Sequence, residues 1–242
     1  MTAALAELRL LHLADSALPI GALAHSFGLE SLVAAELLGA GDLSEFLCAY
    51  LEEAGFAEAV FCRQAFLLAT ANLDSRAADF RECWLSLNAR LSAFKPSREG
   101  RDASASLGRN FLRVVAALSP SPLVREALDC VSATGAPPSS SGGAAHHCTA
   151  FGLAAAVLDF PEGAAISAYL HQCAAGLVSV CQRLLPLGQT EAARILWNLK
   201  PAILDAVARA SRSLVADVRC FTPLLDWAAM EHPALPTRLF IS

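Results

Sequence analysis

The sequence predicts an all-α fold, a single-domain bundle of roughly eight to ten helices spanning residues 1–242. Three observations carry this expectation. Ala and Leu dominate a chain that is 55% hydrophobic and 17% charged, whereas the β-branched and aromatic residues that suit strands are sparse. Apolar residues recur at spacings of three and four, the period of one helix face. Pro, Gly and capping residues punctuate these runs, and no strand-like alternation of useful length interrupts them.

Residues 3–14 read as a short apolar helix, after which Pro19 and Gly21 force a turn. Ser26 or a neighbour opens a second helix, with Leu29, Leu32, Val33 and Leu37 along one side and Gly39-Ala40-Gly41 as its end. Asp42 with Glu45 forms a capping-box-like pair. The stripe Leu43, Phe46, Leu47, Tyr50, Leu51, Ala54 then continues past Gly55 towards Ala69, as one long helix or two. Asp74 is expected to cap a segment running through Trp84 and Leu87 to Phe94, where Pro96 stops it. Ser97 with Gly100 restarts the chain, and Leu107, Phe111, Val114 and Val115 give the next helix its buried face, up to Pro120. A shorter helix, Leu123 to Val131, precedes TGAPPSSSGG, residues 134–143, which reads as a flexible loop. Three long helical stretches follow, over 145–158, 164–185 and 189–215. Pro186-Leu187-Gly188 separates the last two, and Pro201 is expected to kink the third. A final helix near 223–230 leads into a proline-spaced tail, residues 231–242.

Composition narrows the function classes. The net charge of −5, from 18 basic and 23 acidic residues with no basic stripe, argues against nucleic acid. Basic residues are too dispersed for a polybasic membrane patch. The uncharged run from Gly163 to Gln182 is long, yet Ser167, His171, Gln172 and Ser179 make it a buried helix rather than a spanning one. Eight cysteines without a Cys-x-x-Cys pair, and no cleavable signal sequence, read as reduced thiols of a cytoplasmic protein. The apolar surplus beyond one core points to a subunit or partner interface.

No segment supplies a convincing catalytic set. Ala24-His25-Ser26-Phe27-Gly28 is one residue short of a Gly-x-Ser-x-Gly elbow, and Asp159 or Asp205 with His171 or His232 would have to complete it. Such an elbow follows a buried strand, whereas Pro19-Ile20-Gly21 is a turn; Ser26 as a helix cap and Gly28 as a close-packing position are the simpler assignment. Arg98, Arg101 and Arg109 beside Glu99 and Asp102 form a mixed-sign cluster suited to a surface or an interface. Glu52 and Glu53 read as a solvated helix face. For metals, His25, His146, His147 and Cys148 are the candidate ligands. The last three follow one another on a helix, about 100° apart, and cannot close a site alone. No phosphate-cradling GxxxxGK[ST] occurs.

Several segments, in order, resemble the UreF-type urease accessory proteins. They are LLHLADSALPIGALAHSFGLE (Leu10–Glu30), SREGRDASASLGRNFL (Ser97–Leu112), FGLAAAVLDF (Phe151–Phe160), RLLPLGQTEAARIL (Arg183–Leu196) and the closing RLFIS. The resemblance implies a protein with no active site and no tightly bound cofactor. It implies a homodimeric adaptor joining a UreD/UreH-type scaffold to a UreG-type GTPase, with nickel passed through the complex to apo-urease. An internal passage is one route proposed for the metal in that family. The same resemblance places partner contacts at Pro19, Gly21, Ser26, Gly28, Glu30, Gly188, Gln189, Arg238, Leu239 and Phe240. Glu30 is then a salt-bridged or capping carboxylate, and Gly188 occupies a backbone position that a side chain would obstruct. The tail is expected to order on binding the scaffold, with Arg238 and Phe240 as anchors. It departs from the family pattern at Pro233, Pro236 and Ile241. The competing readings are a metallochaperone that holds nickel by itself and a helical adaptor unrelated to urease.

Overall fold

One helix without a single charged side chain, HCTAFGLAAAV, sits in the middle of the molecule and the others are arranged around it. In the computed structural model, which describes residues 2–75, 79–132 and 143–242 (side chains of 74, 75 and 132 excepted), no strand occurs among the described residues. The helices are α1 (Ala3–Leu13), α2 (Leu29–Ala34), α3 (Leu43–Tyr50), α4 (Phe56–Ser75), α5 (Phe80–Ala93), α6 (Arg98–Leu118) and α7 (Pro122–Ser132). After these come α8 (His147–Val157), α9 (Glu162–Leu184), α10 (Gln189–Asn198), α11 (Lys200–Ala210) and α12 (Pro223–Glu231). This is the expected all-α class.

The central helix is α8, buried from His147 to Ala156. It packs most extensively on α4 and next on α6. Small residues set that distance. A β-carbon on Gly152 would stand 2.0 Å from the Cys62 carbonyl oxygen of α4, and one on Gly108 of α6 would stand 2.0 Å from the carbonyl oxygen of Ala145. Backbones this close leave no room for a methyl group. Around the wedge, Phe111 of α6 stacks on Phe151 of α8 with centroids 5.2 Å apart, and His147 meets Tyr169 of α9 edge-on at 5.3 Å. The outer layer follows: α9 and α11 cover α4, and α12 lies across α2 and α6. Arg63–Glu162, 2.8 Å, ties α4 to the start of α9.

Several boundaries differ from expectation, each for a local reason. The stripe beginning at Leu43 is one continuous rod, because α3 runs through a π-helical turn, Leu51–Gly55, into α4. Asp42 makes no capping box; its carboxylate accepts from the Gly39 amide behind it, 3.3 Å. The second helix starts at Leu29 with no Ser26 side-chain cap and ends at Ala34, where Glu36 turns to φ 58° and breaks it. Asp74 lies within α4, and Asp79 caps α5 instead, accepting from the Glu82 amide at 3.2 Å. Ser97 caps α6 as expected, accepting from Gly100 N at 3.2 Å. At Pro201 the chain does more than kink. The helix stops at Asn198 and restarts at Lys200, with Pro201 in the first turn, where its missing N–H costs nothing. The 134–143 loop lies outside the described residues, Gly143 excepted.

All eight cysteines are free thiols, four of them buried and only Cys83 exposed. The helix α9 is long and apolar enough to cross a membrane, but 56% of its most apolar window is buried against the rest of the chain.

Candidate functional site

The turn that follows α1 is built from positions where ordinary residues fit poorly. Gly21 adopts φ 89° and opens a 3-10 turn, Ala22–Ala24, while Pro19 stays exposed and Ile20 is buried beneath it. Phe27 (φ 52°) and Gly28 (φ 92°) then aim the chain into α2. Gly28 combines two demands. Its backbone is left-handed, and a β-carbon there would stand 3.0 Å from Ala229 N and 3.1 Å from Leu225 O of α12. This is the close-packing role expected from the sequence, and it presses α12 onto the N-terminal turn.

Glu30, one residue into α2, is 7% exposed and receives three hydrogen bonds from residues more than 200 positions away. Leu239 N donates to Oε1 at 2.5 Å, Phe240 N to Oε2 at 3.1 Å, and His232 Nε2 to Oε2 at 2.9 Å. The other ring nitrogen, Nδ1, faces Glu99 Oε2 of α6 at 2.8 Å. Burial alone would raise the Glu30 carboxyl. The Leu239 amide, His232 and the Phe240 amide outweigh it and hold the group below its ordinary value, so it is ionised and accepts only. The ring of His232 therefore bridges two carboxylates, Glu30 on one nitrogen and Glu99 on the other. Arg238, 3.3 Å from Glu99 Oε1, completes a four-group cluster. His232 itself is fully buried, its ring held between two carboxylates.

The tail is thus docked on its own chain. Phe240 is 5% exposed, its ring under the Arg183 guanidinium at 4.3 Å. The amides of Ser26 and Phe27 donate to the carbonyl oxygen of Ser242, and Ile241 N donates to Ala24 O at 2.8 Å. His25 Nδ1 pairs with Ser242 Oγ at 2.8 Å; burial lowers its proton affinity, with Glu99 opposing. Leu239 and Ile241 point outward, 53% and 67% exposed. Phe240 therefore anchors the tail internally, and the outward anchors are its two neighbours.

Seven residues singled out from the sequence meet here: His25, Ser26, Gly28, Glu30, Arg238, Leu239 and Phe240. Ser26 is fully buried and its hydroxyl has no partner among the described residues, while His232 is occupied by carboxylates, so the two do not pair. Gly188 and Gln189 lie elsewhere, at the start of α10. Gly188 has φ −71°, with nothing within 4 Å of a would-be β-carbon, so the obstruction expected there does not exist. Gln189 Oε1 accepts from Gln182 at 3.0 Å. His146, His147 and Cys148 are all buried in the α8 region. His146 pairs with Ser92 Oγ (2.8 Å) and Ser104 Oγ (3.1 Å), and burial depresses it to about 3. Burial likewise depresses His147 to about 4. Among the described residues, no group of three or more His, Cys, Asp or Glu side chains is placed to hold a metal ion.

Sequence reasoning named neither His232 as the hub of this cluster nor Glu99 as its second carboxylate. One signal was available: Glu30 stands in a six-residue helix between Leu29 and Leu32, where a carboxylate must be buried and therefore bound.

Comparison with known proteins assigns the chain a family. The UreF family model matches residues 37–200. The urease accessory protein UreF of Rhodopseudomonas palustris (strain BisA53) is 33% identical over 238 residues, covering 97% of this chain and 92% of its own. Those of Nostoc sp. (strain PCC 7120) and Corynebacterium glutamicum (strain R) are each 32% identical, covering 97% and 98% of this chain and 95% and 98% of their own. The chain belongs to the UreF family of urease accessory proteins.

Proposed function

We propose that this protein is an adaptor in nickel insertion. As a cytoplasmic homodimer it would join a UreD/UreH-type scaffold to a UreG-type GTPase and so pass nickel, as cargo, to apo-urease. Family membership supports the setting in urease maturation. The observation that carries the adaptor role is the outer side of α12, where Leu224, Trp227 and Met230 recur every three residues at 45%, 40% and 53% exposure. Phe221, 79% exposed, precedes them. Large side chains left open in this number fit a protein that is finished by its partners. The docked tail adds Leu239 and Ile241 as further exposed apolar side chains. On the far side of the sequence, Leu5, Leu8 and Leu11 of α1 with Leu118 at the end of α6 form a second exposed apolar set, available to the second copy.

The test is reconstitution. Apo-urease is mixed with scaffold, GTPase, nickel, bicarbonate and GTP, with and without this protein. Activation that requires the chain, and that falls with Trp227→Glu while the variant remains folded, supports the proposal. Equal activation in its absence would refute it.

A further inference from the structure

Between α4, α6, α9 and α12 lies a cavity of about 160 Å³. An engineered apolar cavity of about 150 Å³ is known to accept benzene, so this one has room for a single ring. Its walls are largely apolar, including Phe27, Leu91, Phe94, Leu107, Leu177 and Leu225. Space is also left by missing side chains: a β-carbon on Gly176 of α9 would have nothing within 4 Å. The π-helical turn contributes Ala54 to the same wall.

One polar group in that wall has unused capacity. Lys95 Nζ donates to Glu58 Oε1 at 2.6 Å, and Tyr169 Oη donates to Glu58 Oε2 at 2.8 Å. Both carboxylate oxygens are engaged. The ammonium has three N–H donors, and Glu58 is its one partner among the described residues. Lys95 and Glu58 keep 22% and 14% side-chain exposure, and both line the cavity. The attraction of the pair outweighs burial, keeping Lys95 protonated and Glu58 ionised. An occupant therefore meets an apolar chamber with free N–H groups at one point.

Charge decides what kind of occupant fits. A cation would face the Lys95 ammonium, and the chamber offers it no set of three His, Cys, Asp or Glu donors. Burial raises both of its thiols, Cys220 and Cys173, the latter to about 12, so they stay protonated. An anion would face Glu58, which already neutralises Lys95, and a second carboxylate, Asp226, in the α12 wall. What remains is a neutral molecule bearing an acceptor.

We propose that this cavity binds a small neutral organic molecule, one ring in size, whose carbonyl or equivalent oxygen accepts from the free N–H groups of Lys95. The proposal does not rest on the adaptor role, although α12 and Phe27 border both the cavity and the docked tail.

Three isosteric probes separate the possibilities: benzamide (neutral), benzoate (anionic) and benzylammonium (cationic), each titrated into the full chain by ligand-observed NMR. Benzamide is expected to bind saturably, at least tenfold tighter than either charged probe. Gly176→Leu, which fills the chamber, should weaken it at least tenfold. So should the paired change Lys95→Met with Glu58→Gln, which removes the donors without leaving an orphan charge. Circular dichroism identifies which of the two variants is folded, and one folded variant suffices. Absence of saturable benzamide binding, preference for a charged probe, or wild-type binding by a folded variant would each overturn the assignment.

Discussion

Replacing Glu30 by Gln should free the tail without unfolding the protein. The substitution keeps the shape but leaves one acceptor oxygen for three donors, the amides of Leu239 and Phe240 and the His232 ring, and points an NH₂ at one of them. An orphaned buried amide costs about 1–3 kcal/mol, and a lost hydrogen bond to a charged carboxylate about 1.5–3 kcal/mol. These costs do not add in full, because the tail can leave. Undocking exposes Phe240, worth about 1.5–3 kcal/mol of burial, together with its contact to Arg183. A net loss of about 3 kcal/mol is expected, confined to residues 232–242, or roughly a hundredfold in local opening at 1.4 kcal/mol per tenfold. Hydrogen exchange read by mass spectrometry over that segment measures it directly. Midpoint temperature should move little, since the core around α8 is untouched. Acid should mimic the substitution. Glu30 lies below its ordinary 4.5 in the folded chain, so its contribution is complete above pH 4.5 and is lost as pH falls through the folded value. Exchange over 232–242 that is the same in wild type and Glu30→Gln would refute this account of docking.

The buried histidines give a second pH signature. His146 (about 3) and His147 (about 4) are neutral when folded and regain 6.5 when unfolded, so the unfolded chain takes up protons first as pH falls below 6.5. Urea midpoints should show a loss of roughly 3–4 kcal/mol between pH 7 and pH 5, and a flat profile there would contradict the burial of the pair. Gly28→Ala forces a methyl group against α12 at a left-handed position and should cost about 2–4 kcal/mol in denaturant melts, whereas Gly188→Ala, at the open N-cap of α10, should change stability by less than about 1 kcal/mol. Gly152→Ala should cost more than either or prevent folding, read by circular dichroism, because the Cys62 carbonyl stands where the methyl would go. Trp227→Glu should abolish capture of the scaffold partner in a pull-down with unchanged circular dichroism; capture at wild-type level would remove α12 as the docking face.

What could be read from the sequence was whatever is decided within a turn or two of helix. The face Leu107, Phe111, Val115 and the Ser97 cap are local, and both are present. Asp74 and Asp79 are equally good caps by residue type, and only the extension of α4 to Ser75 chose between them. The motif resemblance singled out Glu30 and Arg238 separately, but nothing in a periodicity reports that a carboxylate at 30 and an imidazole at 232 will meet. Gly188 misled because its residue type suggested strain, whereas its backbone is extended and its surroundings are open.

The position of α8 has a consequence for how the protein is made. Residues 147–157 pack between helices that precede them in the chain, so α4 and α6 cannot complete their contacts, at Cys62 and Gly108, until this later segment is made. The core belongs to both sides of residues 133–142. Two fragments divided there should each aggregate alone, yet refold into one particle when produced together, with the second fragment inserting α8 between α4 and α6 of the first.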